Sequence, residues 1–166
     1  MSCLEVNMDK SKIIRYIVLI VSAVTAIATG IPCQKITTKY ADRTTVGYES
    51  LMPSIIGAVI ILCVVGNIIL ALSSKYKHTI WTSLGCAAFI VIKLFLILSL
   101  VGTVHHEANK FDKLYEELGA QNLDVTYDVV TRTYLGFYIL AGCAVFIVVT
   151  GFICFIVGSL RNTEED

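Results

Sequence analysis

Four long apolar runs constrain this chain more than any other feature of its sequence. A helix that crosses the hydrocarbon core of a bilayer needs about 20 apolar residues, because the core is about 30 Å thick and the helix rises 1.5 Å per residue. Runs of this kind cover residues 13–33, 54–73, 79–104 and 134–160, and the only charges inside them are Arg15 and Lys93. The sequence therefore predicts an all-α integral membrane protein, with residues 1–166 forming a single four-transmembrane-helix bundle.

The composition agrees with lipid as the solvent of this chain. Of the 166 residues, 56% are hydrophobic and 16% are charged, whereas soluble domains carry about 25% charged residues. The 13 basic and 13 acidic residues cancel, so the chain lacks the basic surplus typical of nucleic-acid binders. We therefore expect the lipid bilayer as a partner and no nucleic acid.

The first run also has features of a secretory signal peptide. Lys10 and Lys12 precede it, Arg15 lies at its start, and Ala26, Ile27 and Ala28 resemble a cleavage site. The apolar run is nevertheless longer than the 7–15 residues of a signal sequence. We expect it to be retained as the first span, while cleavage would leave three spans.

The distribution of Lys and Arg predicts the orientation, because short cytoplasmic segments are enriched in these residues. With both termini inside, the basic residues divide equally between an inner set (Lys10, Lys12, Arg15, Lys75, Lys77, Arg161) and an outer set (Lys35, Lys39, Arg43, Lys110, Lys113, Arg132). The inner segments are shorter, so their positive charge is denser. This density favours cytoplasmic tails at residues 1–12 and 161–166 and outer loops at 34–53 and 105–133. We expect the plasma membrane as the location.

The two outer loops carry patterns of their own. The first loop alternates polar and apolar residues on both sides of Ala41, Asp42 and Arg43, which predicts a short hairpin. In the second loop, residues 108–118 show helical spacing before Gly119, and residues 123–129 alternate like a strand. The sequence thus predicts a small extracellular cap made of a hairpin and an extension of the third helix.

Two polar residues within the runs are candidates for function. Lys93 lies about 21 Å along the third predicted span, at a depth where a charge costs at least about 2.5 kcal/mol. It could snorkel to the headgroups or bond hydroxyl groups, pair with an acidic residue of a partner, or serve a transport site. Asn67, in the second run, is of the type that forms hydrogen bonds between membrane helices.

Small residues recur at positions that favour close helix packing. Ser22, Ala26 and Gly30 lie four residues apart in the first run, and single glycines follow at Gly57, Gly66 and Gly85. Small side chains let membrane helices approach closely. We expect these positions to pack the bundle, with association between chains through the first span as the alternative.

The cysteines and histidines do not predict a metal, cofactor or catalytic site. Of the six cysteines, only Cys33 reaches the outer side, and Cys3 and Cys154 are candidate acylation sites near the cytoplasmic face. His105, His106 and Glu107 are adjacent in sequence, so their side chains diverge on a helix instead of following the i, i+4 spacing of metal-binding histidines. No nucleophile motif or phosphate-binding loop is present either.

The layout of short tails, one tight inner turn and two outer loops resembles that of four-span families such as claudins, tetraspanins and MARVEL-type proteins. The resemblance is one of topology. The first loop lacks the Trp and the cysteine pair of claudins, and the second lacks the cysteines of tetraspanins.

These features predict a protein that is not an enzyme and acts through contacts with other membrane proteins or with itself. It would organise a membrane or cell junction, or serve as an accessory subunit of a membrane complex. The alternative is a small transporter or channel subunit that uses Lys93 and Asn67.

Overall fold

The computed structural model describes residues 3–40, 43–52, 54–117 and 127–163. In chain order the elements are α1 (Cys3–Thr29), β1 (Gln34–Tyr40), β2 (Arg43–Glu49), α2 (Ile55–Leu72), α3 (Tyr76–Glu117), β3 (Tyr127–Thr133) and α4 (Leu135–Thr163). Most of the described chain is helical, and the three strands form one small sheet.

Four helical segments of the described chain are long and apolar enough to cross a membrane. They are Lys12–Thr29, Ile55–Leu72, Tyr76–Leu114 and Leu135–Leu160. Each leaves most of its residues unburied by the rest of the protein, so its apolar side chains remain available to lipid. The prediction of four helices long and apolar enough to span a membrane is confirmed, and these helices indicate a membrane-embedded protein.

The helices form a ring in which neighbours pack side by side. α3 packs against α2 and α4, and α1 packs against the same two helices from the other side. The interior is filled by small and branched apolar residues from these helices and from the start of the sheet, including Ile60, Val64, Cys86, Ile90, Ile97, Leu140 and Ile147. A second cluster, nearer the α2–α3 turn, contains Ile14, Val18, Ala71, Tyr76 and Cys154.

α1 ends at Thr29, before the predicted end of the first span at Cys33. Gly30 and Pro32 explain the early end, because glycine favours helix termination and proline has no N–H to continue the helix. The chain then passes over the start of α4, where the Pro32 carbonyl oxygen would lie 2.4 Å from a Cβ added to Gly136.

The sheet has the strand order β2-β1-β3, and both pairs are antiparallel. The predicted hairpin is confirmed, with Tyr40 paired to Arg43 and residues 41 and 42 between them. The third strand occupies Tyr127–Thr133, later than the predicted 123–129. Its position follows β1, because β3 pairs with β1 along its whole length, from Gln34 with Thr133 to Tyr40 with Tyr127. Leu118, Gly119 and the earlier part of the predicted strand lie outside the described residues.

α3 continues well beyond the other helices, as the spacing of residues 108–118 predicts. Its 42 residues give a length of about 63 Å, roughly twice the thickness of a bilayer core. The continuation packs against β3, and Ala108 and Val129 are both buried there. His105 and Thr131 share a hydrogen bond of 3.3 Å between Nε2 and Oγ1. The helix therefore supports the sheet along one side.

Two glycines on α4 provide a matched test of this packing. We expect Gly136→Ala to destabilise the protein by about 1–3 kcal/mol, because its new Cβ would overlap the backbone at Pro32. Gly142→Ala should be neutral or slightly stabilising, since nothing lies within 4 Å of the added Cβ and alanine favours helix more than glycine does. Thermal unfolding in detergent measures both, and equal effects would contradict the described packing.

Candidate functional site

Asn67 holds α2 against α3 within the bundle. It is 1% exposed, and its Oδ1 accepts hydrogen bonds from the hydroxyl groups of Thr82 and, at 3.3 Å, Ser83. On the far side of Ser83, the α4 residue Gly151 approaches so closely that an added Cβ would lie 2.6 Å from Ser83 Cβ. We call this contact of three helices the Asn67 node. A side chain satisfied in this way stabilises helix packing, as the sequence indicates.

Lys93 lies near the end of the bundle that carries the sheet. Lys93 lies 17 positions after Tyr76, where α3 starts, and this is about 25 Å along the helix. The neighbouring α2 is about 27 Å long, so Lys93 lies about as far from the α2–α3 turn as the other end of α2 does. The lysine is half-buried and makes no hydrogen bond or ion pair with any described residue. Its positive charge acts on the thiol of Cys33, at the base of the sheet.

The structure does not combine Lys93 and Asn67 into one site. Thr82, the α3 partner of Asn67, precedes Lys93 by about 16 Å along the helix. Asn67 accepts hydrogen bonds from hydroxyl groups near the start of α3, whereas Lys93 acts on Cys33 at the base of the sheet. The two polar residues therefore have separate surroundings.

Cys33 connects the sheet to the bundle. Its N–H donates to the Glu49 carbonyl at 2.8 Å, and its own carbonyl accepts from the Tyr134 N–H at 2.9 Å. The side chain is fully buried, and this burial raises the pKa of the Cys33 thiol from 9.0 to about 11, while the charge of Lys93 opposes the rise. The side-chain oxygen of the next residue, Gln34, is buried without a hydrogen-bond partner in the described part of the chain.

Arg15 has a structural role that the sequence does not reveal. Its guanidinium donates to the Tyr76 hydroxyl at 3.1 Å and to the Ser74 hydroxyl at 2.5 Å. Ser74 has a φ of 58°, a left-handed conformation that is uncommon for residues other than glycine. The arginine thus ties α1 to the α2–α3 turn. The sequence shows Arg15 only as a charge at the edge of the first span. Its hydrogen-bond partners cannot be recognised there, because they lie about 60 residues away in the chain.

The predicted packing residues have unequal surroundings. Gly57 is the most constrained, since an added Cβ would lie 2.1 Å from the Leu51 carbonyl oxygen. Ser22 is buried and Ala26 packs against the core, whereas Gly30 is exposed. An added Cβ at Gly66 or Gly85 would make an ordinary contact. Ser22, Ala26 and Gly30 therefore do not form a single packing stripe, since Gly30 lies beyond the end of α1 and is exposed.

Neither candidate acylation site gains support. Cys154 is fully buried in the second apolar cluster, so its thiol would have to leave the bundle before it could be acylated. The side chain of Cys3 lies outside the described part of the structure. The other described cysteines (Cys33, Cys63, Cys86 and Cys143) are free thiols, and no group of three or more His, Cys, Asp or Glu residues in the described ranges could hold a metal ion.

The sheet has an open surface on its outer strand β2. β2 is the outer strand next to β1, and its residues 43–48 are all exposed. Tyr48 is 58% and Val46 43% exposed, although the Tyr48 ring also contacts the Tyr134 ring at 6.3 Å between centroids and the Lys35 ammonium at 5.8 Å. A second open feature is an apolar groove of about 570 Å³ between α3 and α4, lined by residues such as Ala87, Leu94, Ala144 and Val148.

The apolar helices and the ring in which they pack define a membrane-embedded protein of four helices. No protein-family model, curated protein or solved structure matches the chain. The resemblance to four-span families therefore rests on layout alone, and function has to be argued from the surfaces described above.

The Asn67 node can be tested by a double-mutant cycle. We expect Asn67→Ala and Thr82→Val each to lower the free energy of unfolding, with a coupling of about 0.6–2 kcal/mol, because each removes the same interhelical hydrogen bond. The equivalent cycle between Asn67 and Thr103, whose hydroxyl bonds its own helix at Ser99, should show no coupling. Additive effects of the Asn67 and Thr82 substitutions would contradict the contact.

The Cys33 thiol provides a pH-dependent readout of Lys93. The Cys33 side chain is fully buried, so its ionisation is best followed by the NMR chemical shift of Cys33 Cβ, which needs no reagent to reach the thiol. This chemical shift should titrate with a midpoint near pH 11. Lys93→Leu should move the midpoint to higher pH, because it removes the charge that favours the thiolate. Lys77→Leu, near the α2–α3 turn, is the control, and an unchanged midpoint in Lys93→Leu would show that the ammonium does not act on Cys33.

Proposed function

We propose that this chain is a non-enzymatic membrane protein that acts through contacts with other membrane proteins. In this proposal it organises a membrane or cell junction, or serves as an accessory subunit of a membrane complex. The observation that carries the proposal is the exposed surface of the sheet, where Val46 and Tyr48 present apolar area on a strand that has a neighbour on one side only among the described residues. Exposed apolar residues beside open backbone groups are features of interaction sites.

The polar groups inside the bundle support the same proposal. Arg15 is bound by Ser74 and Tyr76, and Asn67 by Thr82 and Ser83. These contacts hold helices together, which suits a scaffold whose rigid bundle presents the sheet. The alternative, transport through Lys93 and Asn67, has less support because the two residues occupy different levels of the bundle.

The proposal includes an orientation. The sheet and the continuation of α3 would lie outside the cell, with both termini in the cytoplasm and the bundle in the plasma membrane. The dense positive charge of Lys75 in the α2–α3 turn and of Lys77 at the start of α3 supports this orientation. The sheet is then the part of the protein that extracellular or membrane-bound partners reach first.

Site-specific photocrosslinking in cells tests the proposal. A photoreactive amino acid at Tyr48 should give discrete adducts with other membrane proteins, because this side chain is exposed on the sheet. The same group at Phe152, exposed on the apolar surface of α4, should react chiefly with lipid. A Tyr48 probe that forms no protein adducts would contradict the proposal.

A further inference from the structure

Within the described residues, the β2 edge of the sheet is open and has few of the features that usually protect such edges. Natural proteins protect edge strands with proline, charged side chains (lysine above all), bulges or a covering segment, because unpaired N–H and C=O groups bind other strands. The sequence of β2 is RTTVGYE, which contains neither proline nor lysine and carries its two charged residues, Arg43 and Glu49, at its ends. All seven of its residues pair in continuous register with β1, so no bulge twists the edge away.

The other edge of the sheet differs. The continuation of α3 packs against β3, and Val129 of that strand is buried. Both outer strands carry two charged residues, which are Arg43 and Glu49 on β2 and Asp128 and Arg132 on β3. Residues 43–48 of β2 are all exposed and extended, whereas β3 has a buried residue at Val129. Within the described sheet, the β2 edge is therefore the more accessible one.

The residues of β2 are complementary to a second copy of the same strand. In an antiparallel pair centred on Val46, Arg43 of each copy lies opposite Glu49 of the other, on the same face. The two pairs of opposite charge are then formed at once, and directly opposed charges of this kind are stabilising. Neither Arg43 nor Glu49 has an ion pair with a described residue of its own chain.

The remaining pairs are also compatible. Val46 meets Val46 of the second copy on the two-fold axis, and Thr44 meets Tyr48, so the exposed apolar area of this face becomes covered. Such pairs of branched and aromatic residues favour strand association. Gly47 lies opposite Thr45 on the other face, where its missing side chain leaves room.

We propose that two copies of this protein associate through their β2 strands, antiparallel and centred on Val46, to form one continuous six-stranded sheet. The inference deepens the proposed function, on which it rests, by naming a second copy of this chain as a partner. The interface is isologous, because the same strand serves both sides of it.

The geometry of the sheet also determines how the two bundles are placed. β1 leaves the bundle at Cys33 and β3 returns to it at Tyr134, so the strands run away from the bundle alongside α3. The two-fold axis of an antiparallel strand pair is perpendicular to the sheet and reverses the strand direction. The two bundles therefore lie at opposite ends of the joined sheet, which places them in facing membranes.

Charge reversal tests the register with purified protein in vesicles. Arg43→Glu and Glu49→Arg should each weaken vesicle association at least about tenfold, because each places like charges opposite one another twice. Mixing vesicles that carry Arg43→Glu with vesicles that carry Glu49→Arg should restore association, since every pair then has opposite signs. Lys113→Glu, on the exposed part of α3, is the matched control and should associate like the wild type.

Disulfide formation tests the centre of the contact without relying on charge. Val46→Cys should form a dimer between differently tagged copies from two vesicle populations, because residue 46 meets itself within disulfide distance. Val130→Cys, similarly exposed on β3, should not.

Two results would overturn the inference: mixed charge variants that associate no better than either alone, or Val46→Cys dimers that form only within one vesicle population. In either case, protein adducts from the Tyr48 probe in cells would still support the proposed function. Their absence would remove the proposed function itself.

Discussion

The inability of hydrocarbon to bond with the backbone is the constraint on which this structure depends. Within the bilayer every N–H and C=O group needs a partner from the chain itself, so the buried segments are helices. In the described part of the chain, β1 and β2 lie between the end of α1 at Thr29 and the start of α2, and β3 lies between α3 and the start of α4 at Leu135. The length of the apolar runs and residues such as Pro32 therefore determine where the helices end. Strands form only beyond these helix ends in the described chain.

Most of the fold follows from this constraint and is predictable from the sequence. The four helices, the hairpin and the extension of α3 each have a local signal in apolar length or in residue alternation. The third strand is predicted less well, since its position depends on pairing with β1, which is distant in sequence. The early end of α1 is predictable in principle from Gly30 and Pro32, but the long apolar run conceals it.

The site residues divide in the same way. The polar character of Asn67 and Lys93 is visible in the sequence, but their partners are not. Thr82 and Ser83 become partners of Asn67 only when α3 packs on α2, and the effect of Lys93 on Cys33 depends on the fold at the base of the sheet. Arg15 is the clearest omission, because its role requires Ser74 in a turn far along the chain.

The unbroken course of α3 has a structural consequence. A single helix of about 63 Å runs from the α2–α3 turn, past its neighbours in the bundle, to the part that supports the sheet. The Asn67 node, where Ser83 contacts both α2 and α4, lies near the start of this helix. The support of the sheet and the Asn67 node therefore share one continuous run of backbone hydrogen bonds, and no loop separates the sheet's support from the bundle.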